Sequence, residues 1–271
     1  MNKLPVFVIN LKKDVERLGW FQREMAEKWT GQPFEVIEGI VGQEISDEEI
    51  GVLVDMPQVR RLNGRDSTRA EVGLILSIQY IYQRMSKENI PVAVVFEDDV
   101  RLGRRLSQEI NVLVHWLETR KDSPTVLVLS EANKYRRWQA RRVQGTTVRI
   151  MKPLVIYGAY GYLLNQMAAQ ALLKANRPIT RFADDWMGFK KNVKLDVFSV
   201  LPHLVGNNDF DRRHSNLSQE RACIHAKMLQ ERKKPSLCTR GVNFVIRRWI
   251  PFWDFITGVS VVHERTNKAI E

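Results

Sequence analysis

Val92-Ala93-Val94-Val95-Phe96-Glu97-Asp98-Asp99 is the stretch that decides the fold class of this chain. Its apolar half is too short for a helix, is rich in valine, and is bounded by Pro91. That pattern suits a central strand covered on both faces of a sheet. Three carboxylates follow without a spacer, and in open α/β sheets the carboxyl ends of the strands are where ligands bind. In an extended backbone Glu97 and Asp99 project to one side and Asp98 to the other. Two carboxylates on one side offer hard oxygen ligands to Mg²⁺ or Mn²⁺, ions that can bridge phosphates. A solvated acidic turn is the other way to read the same three residues.

Working outward, strands and helices alternate. Val6 to Leu11 is a second short apolar run, followed by Asp14 and a stretch with Leu18, Phe21, Met25 and Trp29 at helical spacing. Gly31-Gln32-Pro33 breaks that helix, and Phe34 to Ile40 reads as a strand. Thr68 and Glu71 form a capping box for a long helix to about Lys87. Beyond the central strand come a helix over 104–119, a strand over 125–129, and a Gly/aromatic segment over 154–164 that suggests paired or bent strands. Asn165 caps a helix to Asn176, Val197 to Leu201 is the last strand, and a helix is expected near 218–231. Alternation over 1–204 predicts an α/β fold with a mainly parallel central sheet flanked by helices.

The 271 residues include 42 Lys+Arg against 31 Asp+Glu, a formal net charge of +11. This excess is local. Lys134 to Lys152 holds seven basic residues and no acid, and Arg212 to Trp249 holds ten against Glu220 and Glu231, which leaves the remaining residues at −4. A chain that is 44% hydrophobic and 27% charged is neither disordered nor collagen-like. Cys223 and Cys238 are too few for a disulfide framework and lack the spacing of a zinc site, so a reducing cytoplasm is expected. Leu4 to Leu11 resembles a signal h-region but lacks a small-residue cleavage site and is read as a strand.

Several segments, taken in order, resemble glycosyltransferase family 25, the bacterial lipooligosaccharide galactosyltransferases with collagen galactosyltransferases as distant relatives. They are Asn10-Leu11 with Asp14 and Glu16-Arg17; Phe34 to Gly42; Ala70-Glu71-Val72-Gly73 with Leu76-Ser77; and the strand ending Glu97-Asp98-Asp99-Val100. Tyr157 to Leu164, Asp184-Asp185-Trp186-Met187 and Pro202 to Ser215 are similar to later family motifs, so the resemblance covers roughly 5–218. It implies a GT-A-like fold, a UDP-sugar donor, most commonly UDP-galactose, and Mn²⁺ or Mg²⁺ as cofactor. Under the resemblance, Glu97 and Asp99 are metal ligands, with Asp99 the first choice. Asn10, Leu11, Arg17, Glu71 and Asp98 belong to the nucleotide-sugar site. Asp184 is the candidate base, Asp185 the second, and Trp186 a platform for a sugar face. The residues alone leave two alternatives open: Arg17 as a helix-surface partner of Asp14 or Glu16, and Asp184 as a helix cap. The family's Cys and His in its Glu-x-Gly-Cys-x-x-Ser-His helix start are replaced here by Leu74 and Ile78, and Val41 stands where its Asp precedes a glycine.

The organisation expected is a GT-A-like catalytic domain over 1–215 and a basic, aromatic C-terminal extension over 216–271. Phe244 to Ile256 mixes aromatics with Arg247 and Arg248, as at a membrane interface. The expected partners are a UDP-sugar donor, a lipid-linked oligosaccharide acceptor and an anionic membrane surface, not nucleic acid, since no nucleic-acid module is recognisable. The expected place is the cytoplasmic face of a Gram-negative inner membrane. Two other classes remain: a divalent-metal nucleotidyl or phosphoryl transferase, and a non-catalytic basic nucleic-acid binder. No P-loop or Gly-x-Gly-x-x-Gly is present, and the five histidines lack metal spacing.

Overall fold

A computed structural model describes residues 4–130, 132–207 and 259–261. In chain order the elements are β1 (Val6–Asn10), α1 (Val15–Lys28), β2 (Glu35–Glu38), α2 (Asp47–Leu53), α3 (Met56–Asn63), α4 (Arg69–Lys87), β3 (Val92–Glu97) and β4 (Val100–Leu102). They continue with α5 (Leu106–Glu118), β5 (Thr125–Val128), β6 (Lys134–Arg136), β7 (Arg141–Arg142), β8 (Arg149–Met151), β9 (Pro153–Val155), β10 (Gly161–Asn165), α6 (Gln166–Ala175), α7 (Trp186–Val193), β11 (Asp196–Leu201), β12 (Val205–Asn207) and β13 (Val259–Val261).

Eight strands form the central sheet in the order β2-β1-β3-β10-β5-β11-β8-β7. β1 pairs in parallel with β2 and β3, and β11 in parallel with β5, while β10 and β8 run against their neighbours. The sheet is therefore mainly parallel, as the alternation predicts. Its two faces explain the unbroken apolar runs. Phe7, Ile9, Ala93 and Val95 pack into one core cluster with α4 and α6, whereas Val6, Val8, Val94 and Phe96 pack into the other with α1 and α5. Helices on both faces leave no polar side to the central strands.

Local signals placed the helices well. Thr68 Oγ1 accepts the Glu71 amide at 3.0 Å and Glu71 accepts the Thr68 amide at 2.9 Å, closing the expected box at the start of α4. Asn165 Oδ1 accepts the Ala168 amide at 2.9 Å and starts α6. The 40–42 turn is pressed against α4: a Cβ on Gly73 would lie 2.3 Å from the Ile40 carbonyl oxygen, and Ser77 Oγ takes the Ile40 amide at 2.8 Å. Only glycine permits that approach.

Other features emerge from the structure alone. α2 and α3 lie in a stretch without an assigned element in the sequence reading. Yet Ser46 with Glu49 makes a complete capping box, and Asp55 caps α3 ahead of Pro57. The Gly/aromatic segment splits between sheets: β9 pairs with β6, and β10 inserts between β3 and β5. The basic stretch from Lys134 builds β6, β7 and β8, with β13 joining β6. The expected helix near 218–231 and the aromatic segment 244–256 lie outside the described residues.

Candidate active site at the carboxyl edge of the sheet

The acidic triplet sits at the carboxyl end of β3, as expected, but its geometry differs from an extended strand. β3 ends at Glu97, and Asp98-Asp99 form a turn into β4. Strand alternation stops there, so Asp98 and Asp99 both reach the same guanidinium: Arg17 Nη2 contacts Asp98 Oδ1 and lies 2.9 Å from Asp99 Oδ2. Placing Asp98 opposite Asp99 is thereby corrected. Arg17 stands one turn into α1 and makes this pair in place of the helix-surface pair with Asp14 or Glu16 left open by the sequence. Its Nε is buried without a hydrogen-bond partner.

Asn10, at the end of β1, holds the triplet from the other side. Its Nδ2 donates to Asp98 Oδ2 at 2.6 Å and to the Asp14 carbonyl at 3.0 Å. Leu11 follows directly, half-buried, where β1 gives way to the turn before α1. β12 lies alongside the acidic turn, with Asn207 opposite Val100.

Charge at this edge is under-neutralised. Burial pushes the Glu97 carboxyl up to about 8, helped by Asp99, Asp98 and Asp184 and opposed by Arg17. Burial also raises Asp98 to about 6, against the pull of Arg17 and the Asn10 hydrogen bond. One guanidinium thus serves several carboxylates. Such a site favours a further cation. Among the described residues no group of three or more His, Cys, Asp or Glu converges closely enough to hold a metal by itself. The donor set, Glu97 with Asp99, instead fits Mg²⁺ or Mn²⁺ held by one or two carboxylates plus phosphate and water.

A loop ahead of β10 joins the triplet to the later aspartates. The Glu97 amide donates to the Tyr160 carbonyl at 3.0 Å, and the Gly158 amide donates to Asp184 Oδ2 at 3.2 Å. Gly158 has φ of +91°, and a Cβ there would lie 2.6 Å from the Tyr160 ring. This loop brings Asp184 near enough to Glu97 to raise it. The cap role left open for Asp184 belongs to Asp185, whose Oδ1 accepts the Gly188 amide at 2.9 Å while Oδ2 pairs with Arg181. With both oxygens engaged, Asp185 is poorly placed as a base.

Two other expected contacts are also corrected. Trp186 is only 1% exposed: its Nε1 donates to the Gly158 carbonyl at 2.9 Å and its ring stands edge-on to Tyr162, so no face is open to a sugar. Glu71 is buried and committed to the α4 cap and to Arg65, 2.5 Å away, so it builds the scaffold and does not face a ligand. Tyr157, next in sequence to the Gly158 whose amide meets Asp184, is 65% exposed, with its amide donating to Asn133 Oδ1 at 3.2 Å. Tyr157 was legible only as part of a Gly/aromatic motif, and nothing local distinguishes it from Tyr160 or Tyr162.

A sequence profile described as glycosyltransferase family 25 (LPS biosynthesis protein) matches residues 3–187. Procollagen galactosyltransferase 1-A of Xenopus laevis is 27% identical over 173 residues, 63% of this chain and 28% of that protein. The human protein named inactive glycosyltransferase 25 family member 3 is 27% identical over 184 residues, 65% of this chain and 29% of that one. The chain therefore spans under a third of the length of these relatives. A glucose-1-phosphate thymidylyltransferase structure from Bacillus anthracis superposes with a TM-score of 0.40 at 10% identity, over 82% of this chain and 94% of that one. That superposition is too loose to carry an argument.

Proposed function

The chain belongs to glycosyltransferase family 25, and on that premise we propose that it moves galactose from a UDP-sugar to a glycan acceptor on a GT-A-like scaffold. The observation that carries this reading is the convergence of Glu97, Asp98, Asp99, Arg17 and Asp184 on one sheet edge. The acceptor oxygen attacks the anomeric carbon, the bond from that carbon to the UDP oxygen breaks, and the departing electron pair stays on the diphosphate. Asp184, oriented by the Gly158 amide, takes the acceptor proton. Arg17 offers its partly exposed guanidinium to the diphosphate. Asn10 keeps Asp98 turned toward Arg17.

A divalent ion held by Glu97 and Asp99 would supply Lewis-acid relief of charge on the leaving UDP. Burial and the neighbouring carboxylates hold the Glu97 carboxyl well above its usual range, which suits a group that gains a cation when the donor binds. Tyr157 presents the open ring face that Trp186 lacks and serves as the sugar platform.

The acceptor in this proposal is a lipid-linked oligosaccharide, reached from the cytoplasmic face of a Gram-negative inner membrane. Support comes from the basic stretch, where Trp138 is 61% exposed and carries the Arg136 guanidinium 5.8 Å from its ring centre. Among the described residues no helix is long and apolar enough to cross a membrane. The deciding experiment is a thermal-shift series with UDP-galactose, UDP-glucose and UDP, each with and without Mn²⁺. A selective, metal-dependent rise for UDP-galactose supports the proposal, and no rise with any nucleotide sugar overturns it.

A further inference from the structure

A second concave site lies elsewhere on the molecule, between α5 and the β7–β8 hairpin, with a volume of about 700 Å³. Phe198 of β11 forms part of its wall, and β11 is three strands from β3, so the groove is separate from the acidic edge. Its floor is apolar: Val112, Trp116, Ile150 and Phe198. Its rim is cationic: Arg120, Arg141, Arg142 and Lys152, with no Asp or Glu among the described lining residues.

The rim cations are held in place. Arg120 rests 4.6 Å from the Trp116 ring centre and 4.9 Å from that of Phe198. Lys152 lies 5.2 Å from the Phe198 ring and 3.1 Å from Asp196 Oδ1. Arg142 Nε donates to the Thr146 carbonyl at 3.3 Å. Arg141 and Arg142 are exposed. Four cations around an apolar hollow complement a ligand with an anionic head and an apolar body.

We propose that this groove binds an anionic membrane phospholipid, with the phosphate on the Arg141–Arg142 rim and the first part of the acyl chain over Trp116 and Phe198. Nucleic acid fits less well. Phosphate contacts alone would leave the apolar floor wet. Lipid held here sits near the β7 edge of the sheet, three strands and more away from β3. This inference deepens the membrane placement proposed above and is independent of the transfer chemistry.

The test is co-sedimentation of the full chain with phosphatidylcholine vesicles, with and without phosphatidylglycerol. Binding is expected only with phosphatidylglycerol, and R141E/R142E should lower the partition coefficient about tenfold or more. Vesicles carrying brominated chains should quench tryptophan emission, and W116F should remove part of that quenching. Equal binding of neutral vesicles, undiminished binding by R141E/R142E, or unchanged quenching in W116F overturns the proposal. So does full displacement by soluble glycerol phosphate or by a short RNA, since neither needs the apolar floor. If R141E/R142E melts early, R141Q carries the same comparison. Transfer to a soluble acceptor should persist in these variants; its absence in the unaltered chain would strike the proposed activity and leave the groove untouched.

Discussion

The carboxyl edge of β3 and the groove beside β7 handle charge in opposite ways. At the first, Glu97, Asp98 and Asp99 crowd around the single guanidinium of Arg17, and burial raises Glu97 to about 8. At the second, four cations surround an apolar hollow, and two of them, Arg120 and Lys152, are steadied by aromatic rings. The net charge of +11 describes neither place. What a charged cluster does depends on how deeply it is buried and on which counter-charges the fold brings to it, and the sum over a chain hides both.

Experiments can break this contrast, beginning with the strongest effect. D184N should lower transfer by about 10²–10⁴-fold while UDP still raises the melting temperature, because only a proton acceptor is lost. A transfer rate within a few-fold of the unaltered chain would remove Asp184 from its role. D99A should abolish the Mn²⁺ dependence of UDP stabilisation, read by the same thermal shift. R17A should then destabilise the fold by about 1–3 kcal/mol, since Asp98 is left buried without its cation. The exposed pair R141Q/R142Q should stay within about 0.5 kcal/mol. Equal losses in denaturant melts would erase the distinction between the two regions.

Titration sharpens the same point. Glu97 is raised from 4.5 to about 8 on folding, so the folded state holds its proton more tightly. Its contribution is complete below about 4.5 and is lost as pH rises through about 8. E97Q should flatten that decline in stability, and a variant whose pH profile overlays the unaltered one would contradict the burial argument. Among the transfer measurements the smallest effect is expected from Y157A, a rise of about tenfold or less in the acceptor KM with little change in kcat.

Much of the scaffold was legible because its signals are local. A Thr–Glu pair three residues apart starts α4, and Asn165 starts α6, through bonds that close within one helical turn. The strand β3 announces itself by having no polar face. Errors gathered where distant segments meet. Strand alternation was extended past Glu97, where the chain already turns. Trp186 was expected at a sugar, but Tyr162 and the Gly158 carbonyl enclose it. Asp184 and Asp185 are adjacent and alike in sequence, and only the 158 loop and the α7 terminus give one a free-standing position and the other a cap.

By itself, the sequence determined that an apolar strand would end in carboxylates at the ligand-binding edge of an α/β sheet. Burial pattern and capping act over a few residues, so they can be read along the chain. The tertiary structure alone decided which carboxylate meets which partner. Asn10 grips Asp98 across 88 residues of sequence, and Arg17 gathers Asp98 and Asp99 from another element entirely. Those pairings exist only because β1 lies beside β3 and α1 packs over the face they share, a consequence of long-range burial that no local pattern encodes.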